Sequence, residues 1–315
     1  MNRIKPVSTA FVGVATLLRR PDTLLAWTLF QLPPSALSAG ILWFLAVNIA
    51  TGTPLMQQIP FEYFMGGILV VGLFTALWRP MLRSVALRAG IEPGPGAAWK
   101  LKWGRAETTL LLFSFTKSGA VPWSENALAG LLLLIPFVAA AMLWSTAPIP
   151  AAALYAVAAF VTVIWMRVRS SLTFPLVVDP DSHVIRRGGT FNWMQVRRVG
   201  WELTARHFRP LIEMELITFT MWLLVSAGLA ALAVWALGGG LFVREVIASA
   251  AAADWERAVE RAFIQLHSLP IMAYVVFGLW VAVVSALHMI LCSVPTATAY
   301  LAVRSEEPDL AKRFA

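Results

Sequence analysis

The feature that most constrains this chain is the length of its apolar runs. Stretches such as 216–237 and 271–292 approach the roughly 20 helical residues needed to cross a hydrocarbon core about 30 Å thick. Buried helices of soluble proteins rarely need that length. Composition agrees, since 59% of the 315 residues are hydrophobic and only 13% are charged, well outside the average for soluble domains. The expected fold is all-α: a polytopic membrane helical bundle of about six transmembrane helices with interfacial amphipathic helices.

The runs place spans at about 23–50, 64–82, 126–145, 151–166, 216–237 and 271–292 within a single integral membrane domain covering 1–315. Pro33-Pro34 remove two backbone donors and predict a bend or break in the first span. The apolar stretch 108–116 rises only roughly 14 Å as a helix, about half the membrane. Lys100, Lys102 and Arg105 precede it and Lys117 follows, so both its ends belong on one side, as an interfacial or re-entrant helix.

The formal charge of +8 raises the question of nucleic acid, but the basic residues flank the apolar runs and form no compact soluble domain. That is the distribution of a cytoplasmic membrane face beside anionic headgroups. The bias predicts a multi-pass protein of a bacterial inner membrane with both termini cytoplasmic, a cytoplasmic segment 167–210 and a periplasmic segment 241–269. Near the N-terminus, the apolar stretch 7–18 ends in Arg19-Arg20-Pro21, not in a small-residue cleavage site, so 7–20 reads as an interfacial helix. The single cysteine, Cys292, excludes an internal disulfide.

Two extramembrane segments are amphipathic when drawn as helices. In 193–209, Trp193, Val196, Val199, Gly200 and Leu203 share an arc opposite Gln195, Arg198, Glu202, Arg206 and Arg209, which predicts a helix lying flat on the cytoplasmic membrane surface. In 254–267, Trp255, Ala258, Val259, Ala262, Phe263 and Leu266 oppose Arg257, Glu260 and Arg261. A weak repeat links the even spans: Trp78 stands shortly before Arg83-Ser84, and Trp165 before Arg169-Ser170.

The strongest functional candidates are Arg186, Arg187, Arg197, Arg198, Arg206 and Arg209. A basic amphipathic helix at a membrane surface gathers anionic lipid headgroups, at about 1 kcal/mol per residue. Topology alone also makes cytoplasmic loops basic. Asp179, Asp181 and His183 are the one local cluster of metal-ligand types, but Asp-Pro-Asp-Ser is turn chemistry and three ligands are too few. His288 lies near the cytoplasmic end of the sixth span and reads as a structural imidazole. Glu213 and Glu215 near Arg206 and Arg209, and Glu107 near Arg105, read as solvated or paired interfacial charges, Arg209 and Glu213 having i, i+4 spacing. The tryptophans form an aromatic belt. No catalytic, cofactor-binding or metal-binding arrangement is visible.

The segment Arg169-Ser170-Ser171-Leu172-Thr173-Phe174-Pro175, followed by Val199-Gly200-Trp201-Glu202-Leu203-Thr204 and Phe208, and the exit Tyr300-Leu301-Ala302-Val303-Arg304, resemble the membrane domain of the glycerophosphoryl diester phosphodiesterase family and related bacterial membrane proteins. Gly200 stands where that pattern often has Ser, and Ala205 follows Thr204. The resemblance implies a fold, not an activity: that family's phosphodiesterase chemistry belongs to a separate soluble barrel, for which this sequence has no residues left over.

The expected function is that of a non-enzymatic inner-membrane protein binding anionic lipids or envelope partners through its basic cytoplasmic helix. A membrane transporter is the alternative, and would show a polar mid-membrane cavity, for example at Gln31, Ser35, Ser38 and Asn48. An intramembrane enzyme would require the Asp179 loop, His207 and Glu213 to meet around one pocket.

Overall fold

A computed structural model describes residues 4–50, 74, 77–78, 81–92, 97–101, 104–115, 148–182, 184, 193–236 and 269–313. The expected span 126–145, most of 64–82, and nearly all of the segment 241–269 with its amphipathic helix lie outside the described residues. Every described element is helical: α1 (Pro6–Arg19), α2 (Pro21–Ala50), the helical residues 81–91, α3 (Arg105–Phe115), α4 (Pro148–Ser170), α5 (Thr173–Val178), α6 (Trp193–Arg206), α7 (Phe208–Ala236), α8 (Ile271–Val303) and α9 (Glu307–Arg313). Three stretches of the described residues are long and apolar enough to cross a membrane: Ala153–Val178, Phe208–Leu232 and Ile271–Arg313.

Prolines punctuate the chain. Pro6 opens α1 where no backbone N–H is needed, and Pro21 both disfavours helical geometry at Arg20 and opens α2. Pro175 and Pro210 cannot donate to the carbonyls of Ser171 and Arg206, and the chain turns just before each, at Ser171–Leu172 and at His207.

The chain divides into two compact units, the first comprising 1–23, 79–222 and 288–315, the second 24–78 and 223–287. In unit 1 the hub is α5, all six of whose residues are buried, with α3 and α6 packed on it. Around it Leu87, Leu110, Val168, Val199, Leu203, Leu211, Met214, Tyr300 and Leu310 form one core. Close approaches run through glycines. A Cβ on Gly13 of α1 would stand 2.9 Å from the Ile290 carbonyl of α8, and one on Gly200 of α6 would collide with Thr173, standing 2.8 Å from its Cα. Thr173 therefore occupies the space that a serine at 200 would need.

In unit 2, α2 continues through Pro33 and Pro34, so of the bend or break expected there the helix does not break. Pro34 has no N–H to offer the Phe30 carbonyl, and the Trp78 indole Nε1–H donates to that oxygen instead, at 2.6 Å. The Ser38 hydroxyl donates to the Pro34 carbonyl at 2.9 Å. Small residues bring α2 and α8 together, a Cβ on Gly278 standing 3.4 Å from the Ala39 methyl and 3.6 Å from the Ser35 carbonyl.

Candidate functional site

Polar chemistry concentrates in unit 1, beginning with α6. Val196, Val199, Gly200, Leu203 and Thr204 are buried, while Arg198, Ala205 and Arg206 are exposed. The apolar face thus packs on α5, α4 and α9 and is not free for lipid. This corrects the expectation of a helix lying flat on the membrane by that face: a 3.6-residue stripe is the same whether it meets protein or lipid. The stripe left uncovered belongs to α1, where Val7, Phe11 and Leu18 are 60%, 49% and 80% exposed, with Lys5 and Arg19 at the helix ends.

The six arginines singled out in the sequence separate. Arg186 and Arg187 lie outside the described residues. Arg206 reaches Glu202 at 3.5 Å and Glu306 at 3.7 Å, and Arg209 reaches Glu213 at 3.2 Å, so their charges are met within the chain. Arg197 is half-buried, and its guanidinium is pushed below the ordinary range by desolvation first and by the neighbouring Arg198 second. Arg198 is exposed.

Other arginines, which the sequence reading did not single out as site residues, are held by buried carboxylates or aromatic rings. Arg83, in the helical residues 81–91, lies with its guanidinium carbon 3.4 Å from the centroid of Phe174. Arg167 of α4 donates through Nε to Glu215 at 3.0 Å and pairs with it through a second nitrogen at 3.0 Å. Glu215, nearly inaccessible, also accepts from Thr296 at 3.4 Å. Arg169 lies over Trp201 at 4.2 Å and Phe208 at 4.9 Å, and Arg88 pairs with buried Glu107. Glu107 and Glu215 are thus both paired, as expected, but with Arg88 and Arg167, not with the sequence neighbours Arg105, Arg206 or Arg209. The repeat of Arg83-Ser84 and Arg169-Ser170 after Trp78 and Trp165 was the sequence signal for this set.

A third cluster fastens the end of α8. Asp179, 1% exposed, accepts from the Asp181 backbone N–H at 3.0 Å, an Asx-type turn that matches the turn reading of this loop. It also takes both arms of Arg304, at 2.7 and 3.0 Å, and the Tyr300 hydroxyl at 2.9 Å. Glu307, fully buried, accepts from Ser182 at 2.7 Å and from the Val184 N–H at 3.0 Å. Gln195 donates to the Ala311 carbonyl at 3.1 Å, tying α6 to α9. His207 pairs with Glu306 at 3.0 Å, and His288 sits 3.7 Å from Cys292 and edge-on to Trp222. His207, Glu213 and Asp179 each belong to a separate ion pair. Among the described residues no three His, Cys, Asp or Glu side chains gather as metal ligands; His183 lies outside them.

The residues quoted for the family resemblance therefore touch one another: Arg169 stacks on Trp201 and Phe208, Gly200 abuts Thr173, and Tyr300 and Arg304 hold Asp179. Searches of protein-family models, curated proteins and solved structures find no match to this chain.

Proposed function

We propose that this chain is a non-enzymatic multi-pass protein of a bacterial inner membrane, with about six spans and both termini cytoplasmic, that engages anionic lipid headgroups through the basic face of unit 1. What carries the reading is an imbalance of partners: the carboxylates Glu107, Asp179, Glu215 and Glu306 are held by cations of the chain, whereas Arg83, Arg105 and Arg198 have no carboxylate partner among the described residues. Lys5, Arg19 and the exposed Val7, Phe11 and Leu18 of α1 add basic and apolar groups in a form suited to an interfacial helix. The apolar windows of Phe208–Leu232 and Ala153–Val178 are only 11% and 18% buried by protein, which fits a lipid covering.

The test replaces Arg19, Arg105 and Arg198, all exposed, with Glu together. After extraction in mild detergent, the ratio of copurifying phosphatidylglycerol to phosphatidylethanolamine should fall severalfold. A ratio equal to that of the unaltered protein would refute headgroup selection by this face.

The transport alternative draws on an open groove of about 700 Å³ in unit 2, lined by Pro33, Ala36, Leu37, Gly40, Ile41, Phe44 and Phe74. Its lining is apolar, and the hydroxyl of Ser38 is committed to α2's own backbone. An apolar groove of this kind suits a hydrocarbon chain, so an amphipathic cargo is the form of this reading that the lining favours.

A further inference from the structure

Arg83 differs from Arg88, Arg167, Arg169 and Arg304 of unit 1. Arg88, Arg167 and Arg304 each face a carboxylate, and Arg169 is enclosed by Trp201 and Phe208. Arg83 is partly exposed and has no hydrogen bond or ion pair among the described residues, only the ring of Phe174 against one face of its guanidinium. A guanidinium stacked on an aromatic ring spends its π face and leaves its in-plane N–H donors available, and those are the donors that fork onto an oxyanion. The surrounding charge points the same way. Arg83 lies close enough to Arg167 for the two charges to repel, and Glu215, among the described residues the one carboxylate near both, is already committed to Arg167 at 3.0 Å. Two guanidinium charges against one carboxylate leave an excess of +1, which a single bound anion would neutralise.

We propose that the edge of Arg83, held flat by Phe174 and backed by Arg167, binds one phosphate oxyanion. Arg83 directly follows the apolar sequence run 64–82, which makes a phospholipid headgroup the natural source, and free phosphate shares the same chemistry. The source assigned to a lipid rests on the headgroup reading above. The site itself does not depend on the exposed arginines of that reading.

The experiment uses the full chain in detergent micelles, titrated with dioleoylphosphatidylglycerol and followed by native mass spectrometry. The unaltered protein should keep one lipid at collision energies that strip the others. Arg83→Gln should lower the apparent affinity for that last lipid by about tenfold, the scale of one lost charge-assisted hydrogen bond, and Phe174→Leu should weaken it severalfold with the charge intact. Arg83→Lys, which keeps the charge without the fork, should fall between Gln and Arg and guards against a folding defect in the Gln variant. Displacement of the last lipid by millimolar inorganic phosphate would assign the site to free phosphate, and resistance to it would assign a headgroup. Equal retention in the Arg83→Gln and Phe174→Leu proteins would overturn the proposal. In the same assay the Arg19, Arg105 and Arg198 triple Glu variant should lower the total number of bound lipids while sparing the last one. Loss of that total effect with a persistent Arg83 effect would remove the surface reading and leave the site.

Discussion

Unit 1 and unit 2 share α7 and α8 between them, yet they are held by different forces. Of the buried polar and charged residues among those described, only Ser35 falls in unit 2. There the fastening is close backbone approach at Gly278 and Ala39, plus one indole donor that stands in for a proline's missing N–H. Unit 1 instead buries Glu107, Asp179, Glu215 and Glu307 with their partners. Helices in hydrocarbon gain little from hydrophobic attraction to one another, and buried charge there is costly, so small residues and satisfied backbone groups dominate. Near headgroups and water, charged pairs become tolerable and can define a unique packing. Unit 2 thus packs by close backbone approach, whereas unit 1, which holds the candidate span Ala153–Val178, adds buried charged pairs.

Perturbing each region should therefore give effects of different size. The largest is expected from Arg304→Met, which leaves Asp179 buried without its two-armed partner and should cost about 3–5 kcal/mol. Thermal unfolding in detergent measures it, and a change below about 1 kcal/mol would show that the cluster is not what fastens α8. Gly200→Val forces a side chain into Thr173 and should cost about 1–3 kcal/mol by overpacking; the same assay applies, with Ala205→Val on the exposed side of α6 as the control that should stay near zero. Trp78→Phe in unit 2 removes the donor to the Phe30 carbonyl while keeping the ring, and should cost about 0.6–1 kcal/mol. Faster amide exchange confined to the neighbourhood of Phe30–Pro34 would localise the effect; no change in either stability or exchange would mean that the indole bond is dispensable. The smallest effect is expected from Arg209→Ala, whose partner Glu213 is an exposed i, i+4 neighbour, at below about 0.5 kcal/mol.

What was legible in the sequence was what local spacing encodes. Apolar runs show as the long helices α4, α7 and α8, Arg209 and Glu213 pair at i, i+4 as expected, and the Asp179–Asp181 loop forms the turn its residues suggest. The partners that set the candidate site are distant in sequence. Arg167 and Glu215 are 48 positions apart and Arg304 and Asp179 are 125 apart, and no periodicity encodes such pairings. Amphipathicity misplaced α6 because the pattern says that one face is covered but not by what. The double proline signalled a perturbed helix but not its remedy, since the donor that serves the Phe30 carbonyl comes from Trp78, far along the chain.

The arginine-bearing face of unit 1 is expected to meet the cytoplasm. With Cys292 replaced by Ala and a single cysteine introduced at exposed Ala205, labelling by a membrane-impermeant maleimide measures it directly. The thiol should react in inside-out vesicles and stay unlabelled in intact spheroplasts until they are lysed. Full labelling in intact spheroplasts would contradict the account.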